Sequence, residues 1–204
     1  MRGRPTADCG DGRARVQRRT LAVLVAQSLM VGLMSMAPVH LAHGGAGLRV
    51  VGVVISVHVA AMYGVSPLFG WLADRIGRLP VLAVGASLLT TAGVVAGLSG
   101  PHEAVRLSCG LAALGLGWSA VLVSGSALVV DATPPADRVR TQGRTDVLMN
   151  VSGALGGAAA GATVAASSYD RLGIAAATIA AGLLTVVLLT GSASRRGDGR
   201  ATSG

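Results

Sequence analysis

Between Gly64 and Pro80 the chain reads GVSPLFGWLADRIGRLP, with Asp74, Arg75 and Arg78 close together and bracketed by Gly70 and Gly77. Asp74 can accept hydrogen bonds from the free N–H groups of a neighbouring helix N-terminus, where a negative charge contributes ~0.3–1 kcal/mol, more if partly buried. The two glycines fit a tight turn and a close backbone approach, and Pro80 fits the first turn of a following helix. The plain alternative is a solvated, positively charged turn.

A second set of chemical groups lies inside apolar runs, where polar side chains are costly and point to function by default. These are Gln27, Ser28, His58, Tyr63, Ser124 and Ser126, with His40 and His43 at the outer end of a run and Asp146 and Asn150 at the start of another. His58 titrates near neutrality, so it offers either a proton site beside a bound solute or a hydrogen-bonded packing residue. Gln27, Tyr63, Ser124 and Asn150 are candidate solute contacts, and Asp146 is placed to cap a helix start. No carboxylate falls in the middle of a run.

Other chemistries lack their parts. His40, His43 and His58 follow no recognised metal-ligand spacing, and no cofactor is expected. Cys9 and Cys109 lie in unlike settings and make no framework. A membrane serine protease needs a Ser in G-x-S-G and a later His as base. Gly117-Trp118-Ser119-Ala120 lacks the final Gly, and no His follows His102.

The elements that carry these residues are membrane-length. Of 204 residues, 51% are hydrophobic and 13% charged, against about 25% charged in soluble domains; the mean hydropathy is +0.63. Apolar runs cover roughly 21–41, 50–70, 81–98, 107–130, 147–166 and 172–190. Each approaches or exceeds the ~20 residues that cross ~30 Å of hydrocarbon as a helix. Barrel strands would be about ten residues long and would alternate, which these do not. The spacing predicts an all-α membrane protein of six transmembrane helices over 21–192. Residues 1–20 and 193–204 read as disordered basic tails, and the length of the first run argues against a signal peptide.

All 17 basic residues are Arg, placed between the runs and in the tails, which argues for a bilayer and against nucleic acid as partner. Fourteen fall in the tails and the second and fourth loops, three in the others. By the positive-inside rule, both termini are expected in the cytoplasm, with the protein in the plasma (inner) membrane. Gly153, Gly157 and Gly161 at four-residue spacing, and Gly93 with Gly97, predict close helix packing in lipid. Trp71 suits an interfacial anchor, whereas Trp118 falls mid-run and needs another role.

Gly70, Asp74, Arg75, Gly77 and Arg78 spell G-x-x-x-D-R-x-G-R, which resembles the signature loop of the major facilitator superfamily of secondary transporters. Leu79 departs from it where another basic residue is common. The segment from Asp131 through Arg138, Arg140 and Gly143 is similar to the Pro…Arg-x-Arg…Gly loop at the matching place in that family.

The resemblance implies one six-helix half of a twelve-helix transporter, with Asp74 in a latch that opens as the halves rock. Met36-Ala-Pro-Val-His40 looks more like a C-terminal half than an N-terminal one, the basic tail then being the remains of a central loop. Implied partners are the lipid bilayer, a small-molecule solute, and a second six-helix half or a second copy. Efflux and proton coupling are possible modes. A truncated remnant, or a six-helix scaffold or regulator without transport, is the alternative.

Overall fold

The structure is a computed structural model that describes the backbone of residues 7–201 and the side chains of residues 14 and 16–191. Seven α-helices and one short 3-10 turn make up the described residues: α1 (Ala7–His43), α2 (Leu48–Gly64), α3 (Ser66–Ile76), α4 (Arg78–Gly97), α5 (Ala104–Asp131), the turn Pro135–Asp137, α6 (Arg138–Ala166) and α7 (Tyr169–Ala201). Six spans are long and apolar enough to cross a membrane, α2 and α3 together forming the second. Helices suit this solvent because they satisfy their own backbone groups without water.

Several boundaries differ from expectation. The second span breaks at Val65, because Pro67 in the first turn of α3 has no N–H to continue the ladder. Trp71 to Ile76, expected in the charged turn, are the end of α3. Only Gly77 turns the chain, at φ 96°, a conformation that disfavours side chains. Gly70 lies within α3, with no neighbour where a side chain would go.

The expected loop 131–146 shrinks likewise: α6 begins at Arg138, since Arg and Gln are good helix formers and nothing breaks the helix there. Asp146 is therefore inside α6 and is not its cap. The tails expected at 1–20 and 193–204 lie partly outside the described residues. Within them, helical backbone runs from Ala7 and on to Ala201.

In the bundle, α5 contacts α1, α2, α3 and α4, while α1 contacts α6 and α4 contacts α7. Helices α2 and α6 make no contact with each other, so they flank α1 and α5. The core is a set of buried small and branched side chains from all six spans, including Leu33, Leu41, Leu89, Leu111, Leu114 and Val121.

Glycine lines several seams: Gly85 and Gly117 bring α4 onto α5, Gly115 lies on the His58 backbone of α2, and two more hold the outer helices. At the α4–α7 seam a methyl added to Gly93 would come 2.5 Å from Ala177 N, and one on Gly97 would come 2.9 Å from Asp170 O. Gly173 answers from α7 and lies against the Gly97 backbone. At the α1–α6 seam Gly156 faces Ser28, where an added methyl would reach Ser28 O at 2.5 Å. Gly153 faces Gln27 and Val31, and Gly157 faces Val31, but Gly161 has no neighbour within 4 Å. Gly156, one residue off the regular spacing, makes the tightest approach.

Overpacking a closed seam costs ~1–3 kcal/mol, whereas Gly→Ala on an open helix face gains up to ~1 kcal/mol. Gly93→Leu is therefore expected to lower the detergent-solubilised thermal midpoint, and Gly161→Ala to leave it level or raise it. Equal losses from both would contradict the packing of these seams.

Candidate functional site

At the Arg-rich end of the bundle, the turn after α3 meets the end of α5. The last four carbonyls of a helix have no partner within it, and that end carries partial negative charge. Arg78 answers the charge, forming an ion pair with Asp131, and its Nη1 adds a second donor to Ala127 O at 2.9 Å, one turn inside the helix. Arg19 of α1 donates from Nη1 to Leu128 O at 2.7 Å. Two helices thus place a guanidinium on one helix terminus, so residues from both sequence motifs meet there.

The remaining motif residues do not join this contact. Asp74 is exposed and makes no hydrogen bond or ion pair among the described residues. Arg75 lies over the Trp71 ring, 4.8 Å from its centroid, a cation–π contact on the outer surface. Arg138 donates from Nε to Thr133 O at 3.4 Å. Arg140 and Gly143 are exposed on the first turns of α6.

Near the middle of the spans a second arrangement appears. The Trp118 indole N–H donates to Gln27 Oε1 at 2.7 Å, which ties α5 to α1. Indole is a donor only, so Gln27 must turn its oxygen inward and leave its NH₂ group outward. The amide nitrogen lies beside Gly153, 3.2 Å from where a side chain would begin. On the other side Tyr63 meets Trp118 edge-to-face, with ring centroids 6.3 Å apart and planes at 77°. Trp118 is 7% exposed and Tyr63 61%. This is the role that Trp118 lacked in the sequence: it is the post on which Gln27 and Tyr63 are mounted.

The other polar candidates are placed elsewhere. His58 is 2% exposed, with Nδ1 2.7 Å from Leu111 O. A carbonyl only accepts, so Nδ1 carries the proton, and the ring joins α2 to α5. Ser124 is buried and donates to Ala120 O of its own helix. Asn150 is exposed and donates to Asp146 O at 2.9 Å, also within its helix. Ser28 bonds Ser152 O across the α1–α6 seam at 2.9 Å.

At the opposite end, His40 stacks on Tyr169 at 4.4 Å and lies 2.9 Å from Ser99 O through Nε2, while His43 is exposed. Sequence reasoning missed three of these pairings: Gln27–Trp118, Ser66–Ser119, whose hydroxyls lie 2.7 Å apart, and His40–Tyr169. Each joins residues far apart in the chain, and no local pattern marks such a pair.

A family model described as Major Facilitator Superfamily matches residues 20–203. Two Bacillus subtilis (strain 168) proteins are similar. The uncharacterized MFS-type transporter YddS is 43% identical over 166 residues, covering 81% of this chain and 38% of YddS. The uncharacterized MFS-type transporter YdeG is 42% identical over 166 residues, covering 81% of this chain and 39% of YdeG. The riboflavin transporter RfnT of Brucella anthropi is 28% identical over 145 residues, covering 71% of this chain and 36% of RfnT. The chain thus spans under two-fifths of the length of the curated relatives it matches.

Removing Arg78 takes away the ion-pair partner of Asp131 and the second donor to Ala127 O, and hydrogen bonds to charged groups contribute ~1.5–3 kcal/mol, less where solvent reaches them. Arg78→Gln is expected to lower the thermal midpoint, and Asp74→Asn, which breaks no hydrogen bond or ion pair among the described residues, to leave it unchanged. For His58→Gln the expected result is a loss of ~1 kcal/mol in stability, read as a lower thermal midpoint.

Proposed function

The chain belongs to the major facilitator superfamily, and from that premise we propose that it serves as one six-helix half of a twelve-helix secondary transporter for a small solute. It acts by transport rather than catalysis. Sites of such machines lie near the bilayer midplane between two related halves, and access alternates as one half rocks against the other. The second half is a separate chain, a further segment or a second copy. The protein sits in the plasma membrane with its Arg-rich side, and both ends, in the cytoplasm.

The observation that carries this reading is the face formed by α1, α2, α5 and α6. It bears polar groups at mid-span, the Tyr63 hydroxyl and the Gln27 NH₂ group, that make no hydrogen bond among the described residues. Such groups are unfavourable against lipid tails and suit a solute cavity or a second half. Asp74 supports the same reading, since it stands exposed at the end of α3 with no ion pair among the described residues, placed to accept from a helix terminus of the other half. Solute contacts are assigned to Gln27 and Tyr63, His58 being turned to packing. Riboflavin, the solute named for the Brucella anthropi relative, is the first to assay.

Liposomes holding the purified chain as a cross-link-verified monomer are expected to take up no solute above empty vesicles, with uptake appearing once a second half is present. Uptake by the verified monomer would overturn the half-transporter reading. With uptake established, Asp74→Asn is expected to slow it about fivefold, corresponding to the ~1 kcal/mol of a charge at a helix terminus. Unchanged uptake would reduce Asp74 to a solvated helix end.

A further inference from the structure

We propose that the Gln27–Trp118–Tyr63 cluster is a binding site for an uncharged, planar heteroaromatic solute. The proposal rests on the half-transporter reading above and specifies the solute class for that site. The chain has only two Trp, two Tyr and one Phe, yet two of these rings meet at one point. That point is mid-span on each helix: Tyr63 lies within Leu48–Ile76, Trp118 within Ala104–Asp131 and Gln27 within Val16–His43. Trp118 is covered, whereas Tyr63 is 61% exposed and is held edge-to-face by the indole beneath it. One aromatic surface is thereby fixed in orientation and left uncovered, and a flat ring is the shape that gains most from stacking on it.

The hydrogen-bonding groups narrow the class. Gln27 Oε1 is occupied by the Trp118 N–H, so the amide presents donors only. No buried side-chain N or O among the described residues lacks a partner, so this half-buried amide's unbonded NH₂ group is accessible. It asks for an acceptor such as a ring carbonyl or ring nitrogen, and the free Tyr63 hydroxyl can donate or accept.

No charged side chain lies within one helix turn of the cluster. Gln27 is eight positions from Arg19 and Trp118 twelve from Arg106, while on α6 the nearest charge, Asp146, is seven positions from Gly153, about 12, 18 and 10 Å along a helix. An ionised solute would find no counter-charge in contact with this wall at mid-depth, where an unpaired charge is strongly disfavoured. Gly153 completes the site: any side chain there would press on the Gln27 amide at 3.2 Å, so its absence leaves the donor end free to meet a ligand.

The test is equilibrium dialysis of riboflavin, a neutral planar heteroaromatic, and of sorbitol, neutral but not aromatic, against the full chain in lipid nanodiscs, with empty nanodiscs as blank. Saturable riboflavin binding is expected, with none for sorbitol. Tyr63→Leu and Gln27→Leu are each expected to weaken it about tenfold, consistent with loss of an aromatic stack or a buried hydrogen bond. Tyr63→Phe keeps the ring and is expected to cost less than Tyr63→Leu, and His58→Gln to leave binding unchanged. Gel filtration and circular dichroism check each variant for folding, and Tyr63→Phe decides the matter if the leucine variants misfold.

No riboflavin binding by the folded chain, equal binding of sorbitol, or full affinity in the Tyr63 and Gln27 variants would overturn the proposal. Because binding is read on this chain alone, it separates from the transport reading. Binding without partner-dependent uptake leaves the site and removes the half-transporter. Partner-dependent uptake of a solute insensitive to Gln27 and Tyr63 does the reverse.

Discussion

The C-terminal end of a helix carries partial negative charge, and at the end of α5 two guanidinium groups gather on it, Arg78 on Asp131 and Ala127 O, and Arg19 on Leu128 O. The donors arrive from α4 and α1, so closing one helix terminus also fixes the packing of two neighbours. Further along α5, Leu111 O meets His58 of α2, Trp118 meets Gln27 of α1 and Ser119 meets Ser66 of α3. Every helix that packs extensively on α5 thus reaches it through at least one side-chain hydrogen bond. These bonds add to glycine contacts at the same hub, where Gly117 meets Gly85 of α4 and Gly115 lies on the His58 backbone of α2.

The outer helices rest on glycine with fewer side-chain bonds. Helix α7 lies on α4 through Gly93, Gly97 and Gly173, and α6 lies on α1 through Gly153 and Gly156. Close backbone approach there maximises dispersion contacts without a hydrophobic term, since lipid is as apolar as the side chains. The Ser28 bond to Ser152 O is a polar addition to an otherwise steric seam. The division has a consequence for the mid-span cluster. Its residues Gln27 and Trp118 belong to the tightly bonded centre, while Tyr63 and Gly153 come from flanking helices with one side uncovered. A rigid floor with less covered walls is the geometry that results.

Six spans, their lengths and their all-helical character were legible in the chain, because hydropathy and run length are one-dimensional properties that the bilayer reads directly. Local breakers were legible only in part. Gly77 and Pro67 do interrupt the helices, but an apolar-run reading set the charged turn at 71–79 and the fourth loop at 131–146. Helix continues through most of both segments. Charged residues at span ends end the hydropathy signal without ending the helix, because Arg and Gln are good helix formers and long side chains can reach the interface. The glycine pattern on α6 named the right helix, yet Gly156 rather than Gly161 makes the close contact. Which face of a helix is covered depends on a neighbour that the local pattern does not contain.

The sequence by itself determined the solvent, the family motif G-x-x-x-D-R-x-G-R and the residues from which a site could be drawn. Composition, run length and local spacing are enough for those. Only the tertiary structure decided which of those residues act together. It sent Arg78 to Asp131, turned His58 into a bridge between α2 and α5, and left Asp74 without a partner among the described residues. It also joined Gln27, Trp118 and Tyr63 across 91 and 55 positions of sequence. The physical reason is that a hydrogen bond or a ring contact acts over a few ångströms, and only the packing of helices brings residues that distant in sequence within that range.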